Sequence, residues 1–203
     1  AVRPPGVRGG TEVFVATPDR DGVFAAVVAT LDRMRLDVVA ARMMMSRDGR
    51  ALDTFTVLEA GTQAPAPAER AAEVREALLR VLAAASLRTT PARRSLTRRL
   101  RHFQRPPRVD FHGDDGQPLT RLALTCSDRP GLLVAIAQAF FDTGVRVHDA
   151  RIATFGDQVE DFFELSDRGD APLNATLQRS LREALQRRLS PGSMAGAQEN
   201  QHA

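Results

Sequence analysis

Apolar positions change period along this chain in a fixed order, and the order occurs twice. Leu122, Leu124 and Cys126 alternate with less apolar neighbours as a half-buried strand does, and Val13 and Val15 do the same upstream. Past the turns DRPG and DRDG the spacing becomes helical. Leu132, Leu133, Ile136, Ala137, Phe140 and Phe141 share one stripe, matched by Val23, Phe24, Val27, Val28 and Leu31. Gly144 follows as a C-terminal cap, and Val145 to Phe155 and Val159 to Ser166 read as strands joined at Gly156-Asp157. The first copy repeats this with Val38 to Ser46, an Asp48-Gly49 turn and Leu52 to Leu58. A second helix closes each unit, with Leu173, Leu177, Leu181, Leu185 and Leu189 every fourth residue and Val74, Leu78, Leu79 and Leu82 in the first copy.

The two stretches align residue by residue. At an offset of 109, falling to 108 after a one-residue deletion, Thr11 falls on Thr120, Asp19 on Asp128, Arg20 on Arg129, Gly22 on Gly131, Val38 on Val147 and Arg42 on Arg151. Asp53 then falls on Asp161 and Phe55 on Phe163. Agreement over such a length marks a duplication. The unit β-α-β-β-α, with a final strand poorly defined by sequence, predicts an α+β, ferredoxin-like (βαββαβ) sandwich with helices on one face of an antiparallel sheet. Two units in one chain are expected to pack as a pseudo-dimer, each covering an edge the other leaves open. The expected division is a linker over residues 1–10, a first domain at 11–85, a basic connector at 86–108, a second domain at 109–190 and a disordered tail at 191–203. Within it, Leu96, Leu100 and Phe103 have helical spacing, and Val109 to Phe111 with the turn HGDDGQP reads as an added strand hairpinned onto the second copy.

Composition narrows the functional classes. The chain has 203 residues, no run near eighteen apolar residues and no leader-like start, so it is expected to be cytoplasmic, with no membrane contact. Its start at Ala1 rather than methionine suggests a piece of a longer protein. The single Cys126 excludes a disulfide framework and reads as a buried, inert thiol. Net charge is only +3, but Ser86 to Arg108 holds eight arginines and no acid. Nucleic-acid binding through that run is not expected. Modules of this shape that bind RNA stack bases on sheet aromatics, whereas tryptophan and tyrosine are absent here and Phe55, Phe162 and Phe163 lie outside any such motif. The run suits an acidic protein surface instead.

Catalytic and metal signatures are weak. His148-Asp149 forms an HD pair, but His102, His112 and His202 are scattered without ligand spacing, so no metal site is expected. Asp110, Asp114 and Asp115 with Gly113 and Gly116 read as a hairpin turn rather than a cation loop. Met43, Met44 and Met45 read as core or interface packing. No nucleophile, base and orienting group stand together, so this stretch is not expected to be an enzyme by itself.

The segments SDRPGLLVAIAQAFFDTGVRVHDARIATFGDQVEDFFELSDRGDAPL and TPDRDGVFAAVVATLDRMRLDVVAARMMMSRDGRALDTFTVLE resemble ACT domains. They are most similar to the last and the preceding ACT domains of the bifunctional PII uridylyltransferase/uridylyl-removing family, and the connector ending FQRPPRVDF resembles that family's interdomain segment. The resemblance covers Thr11 to Leu189. It implies a parent enzyme, using magnesium, that attaches uridylyl groups to the PII signal protein when glutamine is scarce and removes them when it is plentiful. Its nucleotidyltransferase and HD hydrolase domains would lie upstream, with this pair as its glutamine sensor and no cofactor here. The alternative is a free-standing tandem-ACT regulator that senses glycine or another amino acid and acts on a transcriptional partner.

An amino-acid sensor needs backbone donors for a carboxylate beside an acid for an ammonium. The DRPG turn offers both, so Asp128, Arg129, Pro130, Gly131, Leu132 and Leu133 are the foremost candidates, with Asp128 expected to cap the helix by accepting the Gly131 N–H and Pro130 to sit in its first turn. Asp19, Arg20, Asp21, Gly22 and Val23 are their counterparts, with aspartate replacing the proline. Arg42 and Arg151, equivalent strand residues, are candidates for a ligand carboxylate. By the resemblance, a ligand sits between one domain's loop and the neighbour's second strand, implicating Val38 to Arg42 and Val145 to Arg151.

Overall fold

Alternation around Val13 and Val15 produces an eight-residue strand, Thr11–Pro18, whose inward positions are buried, and the expected helices and the two following strands of each copy come after it in order. The computed structural model describes residues 1–3, 9–87, 106–113, 116–155 and 158–190. In chain order these form β1 (Val2–Arg3), β2 (Thr11–Pro18), α1 (Val23–Arg33), β3 (Leu36–Arg42), β4 (Arg50–Glu59) and α2 (Arg70–Ala83). The second half contributes β5 (Arg108–His112), β6 (Thr120–Ser127), α3 (Leu132–Thr143), β7 (Arg146–Phe155), β8 (Gln158–Ser166) and α4 (Ala175–Leu189). The Gly156-Asp157 turn, the Asp114-Asp115 turn, the helical spacing at Leu96, Leu100 and Phe103, and the tail from 191 lie outside the described residues.

One antiparallel sheet runs through both copies in the order β1-β2-β4-β3-β7-β8-β6-β5. The halves meet where β3 pairs with β7, Ala41 opposite Ala150 and Arg42 opposite Asp149. Ala41 and Ala150 are themselves equivalent positions of the repeat, so the pseudo-twofold axis passes between them. Small residues suit that place, because both are buried beneath the helices. The expected pseudo-dimer is thus side by side, with one sheet and one core. Val13, Phe55, Leu122 and Phe163 from the strands pack in that core with Val27, Leu78, Ile136, Leu181 and Leu185 from the helices. Among the described residues no helix is long and apolar enough to cross a membrane.

Among the described residues, the fourth strand of each half precedes the repeat. β5 pairs with β6 through Phe111 opposite Leu122, as the added-strand reading expects. β1 pairs with β2 in the same register, Val2 opposite Val13, so the duplicated unit includes an edge strand in both copies. Residues 1–10, expected as a linker, therefore hold part of the sheet. Two residues are too few for a period to show in sequence.

Local details follow the duplication. Thr11 Oγ1 accepts the Ala66 N–H at 2.8 Å and Thr120 Oγ1 accepts the Leu173 N–H at 2.9 Å, each pinning the segment that leads into the second helix. Gly144 caps α3 with φ 71, as expected, whereas Arg35 takes the equivalent left-handed place in the first copy at φ 59. Two helix assignments shift. Leu173 is buried but precedes α4, and Leu79 is exposed while Val74 and Leu78 carry the inward face of α2.

Candidate functional site

The turns Asp19–Gly22 and Asp128–Gly131 have the same backbone design. Gly22 and Gly131 stand just before α1 and α3 with φ 89 and φ 74, left-handed values at which any side chain is strained. At Gly22 space is short as well, since a Cβ would lie 2.9 Å from Cε2 of Phe141. Two expectations are corrected here. Asp128 does not cap α3: the cap position belongs to Gly131, no side chain bonds there, and the Leu132 N–H donates to the Arg129 carbonyl at 3.1 Å. Pro130 accordingly lies in the turn before the helix rather than in its first turn. In the first copy the Val23 N–H reaches the Arg20 carbonyl at 3.4 Å, while Phe24 and Ala25 make no backbone bond from their amides among the described residues. Such first-turn amides are the donors a helix leaves open to an incoming anion.

Arg20 and Arg129 are occupied elsewhere. Arg20 donates to the Ala84 carbonyl at 2.9 Å and to that of Leu82, and Arg129 donates to the Arg188 carbonyl at 2.6 Å. Each arginine so closes the C-terminal end of its own domain's second helix, where carbonyls lack partners and a cation is favoured. Their repetition in both copies reflects this bracing of loop to helix.

A cavity of about 220 Å³ opens beside the first turn. Asp19, Arg20, Asp21, Gly22 and Val23 form one wall and Val145, Arg146, Val147 and His148 at the start of β7 the other, with Met43, Met44 and Met45 along its side and Asp53 at its base. The first copy's loop thus faces the second copy's strand across the cavity. Drug-sized ligands occupy roughly 300 to 1,000 Å³, so this volume suits a small metabolite and not a nucleotide. Of the three methionines read as core or interface packing, Met43 packs against the core and Met44 and Met45 are exposed beside the cavity. None of Asp128, Arg129, Pro130, Gly131, Leu132 and Leu133 lines this cavity.

The walls carry opposite charges from opposite copies. Arg146 pairs with Asp19 across the cavity and with Asp170 at 3.2 Å, and Arg168 reaches Asp21 at 3.1 Å. The Arg168–Asp21 pair is exposed and contributes up to about 1 kcal/mol, and the half-buried Arg146–Asp19 pair still borders the open cavity, so both are open to exchange. Asp53, buried in β4, is pushed up to about 7, by burial first and by Asp19 second. His148 Nε2 lies 2.8 Å from Ser166 Oγ, and burial lowers its pKa, which keeps the ring neutral near pH 7.

The second turn is set differently. Burial pushes Asp128 up, and Asp37, at the start of β3, adds a like charge from the facing copy. Gln63 donates to Asp37 at 2.8 Å. Below that turn lies Asp161, the counterpart of Asp53, pushed up to about 8 chiefly by burial. Cys126 beside it is pushed up to about 12, the buried, inert thiol expected.

Arg42 and Arg151 are not near either turn. Both are exposed, 3.8 Å from the Asp149 carboxylate between them, and they line a separate concavity on the helix-free face with Arg121, Phe162 and Glu164. Register explains it. Ala41 and Ala150 point under the helices, so their neighbours point away. Arg146 falls within the implicated stretch Val145 to Arg151 but is not singled out by the sequence, and Arg168, Asp170 and Asp53 are not among the sequence candidates. The repeat alignment held one usable signal, because Arg146 falls on Asp37 and the charge reverses.

Residues 120–186 match the ACT domain family. The chain is 44% identical over 180 residues to the bifunctional uridylyltransferase/uridylyl-removing enzyme of Xanthomonas axonopodis pv. citri, a match covering 89% of this chain and 20% of that protein. The enzyme of the same name from Methylococcus capsulatus is 39% identical over 179 residues, covering 88% and 20% respectively. The chain thus spans about a fifth of the length of these relatives. The ligand-free regulatory subunit of aspartate kinase from Thermus thermophilus aligns over 85% of this chain and 89% of its own, at 18% identity and a TM-score of 0.27. That score is too low to add to what the strand order shows directly.

Proposed function

The chain carries an ACT domain over residues 120–186 and a structural copy of it upstream, and from that premise we propose that it is the amino-acid sensor of a uridylyltransferase/uridylyl-removing enzyme. The observation that carries the reading is the cavity between the first turn and β7, whose walls offer what a zwitterion needs. Arg146 and the open amides of Phe24 and Ala25 receive the carboxylate, and Asp19 with Asp53 receives the ammonium. Phe24, Met43 and Val147 then face the side chain. Glutamine is the favoured ligand, and the PII signal protein the substrate whose uridylylation its level would govern in the parent enzyme. In this reading catalysis belongs to nucleotidyltransferase and HD domains elsewhere in that enzyme, where its magnesium also belongs.

Regulation follows if the ligand prefers one arrangement of the two copies. The pairs Asp19–Arg146 and Asp21–Arg168 both cross between copies, so a ligand that exchanges with them changes the contacts that set their relative position. Thermal unfolding of the chain with each of the twenty amino acids checks the reading. Glutamine at one hundred times its Kd should stabilise the fold by about 2.7 kcal/mol, raising the midpoint by several degrees, while most others leave it in place. A chain whose midpoint moves with none of the twenty would contradict it.

A further inference from the structure

The duplication makes two turns of like backbone but surrounds them with unlike charge. At the first, the facing strand begins with Arg146, half-buried and bonded to the Asp19 carboxylate. The repeat offset carries that position onto Asp37, which faces Asp128 at the second turn. A carboxylate entering the first cavity therefore meets the Arg146 guanidinium, held between Asp19 and Asp170, whereas at the equivalent place beside the second turn it meets the Asp37 carboxylate. The same offset carries Phe141, packed against Gly22, onto Asp32, so the second surround is the more acidic at two positions. From this asymmetry we infer that each chain holds one working amino-acid site, at the first turn, and that the second turn keeps the architecture of a site without the function. The inference rests on the amino-acid-sensor reading above and adds to it which turn is used and why.

Binding then takes a definite form. The ligand inserts into the ion pair between Asp19 and Arg146, its carboxylate replacing Asp19 on the guanidinium and its ammonium replacing Arg146 on Asp19. No net charge is buried, because a zwitterion substitutes for the pair's own two halves. Arg146 keeps a second anchor in Asp170, at 3.2 Å, so it stays aimed at the cavity during the exchange. Arg146 is thereby the residue that selects for a free α-carboxylate. Aspartate at this position in the other copy removes the selection outright.

Isothermal calorimetry of the 203-residue chain with L-glutamine tests this. One equivalent should bind. Arg146→Gln should weaken binding about tenfold or more, the usual size for a lost charge-assisted bond, and Asp37→Asn should leave the first site's affinity within about twofold. Circular dichroism of each variant verifies that it is folded, and the stoichiometry of the unaltered chain is decisive even if a variant does not fold. Two equivalents, or one that survives Arg146→Gln and disappears with Asp128→Asn, would overturn the inference and leave the sensor reading standing. Absence of heat with glutamine and with every other amino acid would overturn both.

Discussion

Replacing Asp161 by asparagine should make the fold more stable at alkaline pH and slightly less stable at acid pH. Asp161 sits on β8 with about 1% of its surface exposed, and neither carboxyl oxygen has a hydrogen-bond partner among the described residues. Burial is the main cause that lifts its pKa from 3.8 to about 8, and the nearby Asp128 carboxylate adds to it. In the unfolded chain the group loses its proton near 3.8, but in the folded chain it keeps the proton to about 8. The folded state therefore binds more protons across that interval, and stability falls as pH rises through it. Asparagine has no charge to bury. Its stability relative to the parent should rise by about 5 kcal/mol between about pH 4 and pH 8, starting from a deficit of about 1 kcal/mol for an unpartnered amide. Urea unfolding across the range measures the difference, and parallel pH profiles would refute the burial argument.

The other large effect belongs to Phe163. It is the repeat partner of Phe55, about 1% exposed, and its ring meets Phe140 edge-on with centroids 5.0 Å apart. Truncation to alanine should cost about 4 kcal/mol through lost burial and the cavity left behind. In a chain of this length that corresponds to a fall of roughly 8 to 16 °C in the midpoint. The shape of the transition carries more information than its size. Core and sheet continue across the seam from β3 to β7, so the halves should still unfold together in one step. Two resolved steps, with only the second-half step displaced, would show the halves to be independent.

Most of the architecture was legible because it depends on local pattern. Alternation at Val13 and Val15, the stripe from Leu132 to Phe141 and the glycine at 144 each locate an element within a residue or two. The edge strands show where locality ends. Val109 to Phe111 could be read beside a turn, but Val2–Arg3 has no period to read and is recognisable only through its pairing with β2. Likewise Leu79 keeps helical spacing with Val74 and still faces solvent, since spacing fixes a stripe's centre better than its margin. The candidate site was half legible. The loop residues were found, yet the proline drew attention to the second turn, whereas the deciding residues for the first lie more than a hundred positions away in the other copy. Arg42 and Arg151 lie away from both turns for the same reason: which face a strand residue takes depends on register at a seam that no single strand encodes.

One titration bears most directly on the central claim, that an amino acid sits between the first turn and the strand facing it. In amide-resolved magnetic resonance of the chain with L-glutamine, the account predicts that shifts concentrate at Gly22 to Ala25 and at Val145 to His148, with little change at Gly131 to Val134. Shifts centred instead on Gly131 to Val134 and on Leu36 to Ala40 would contradict it.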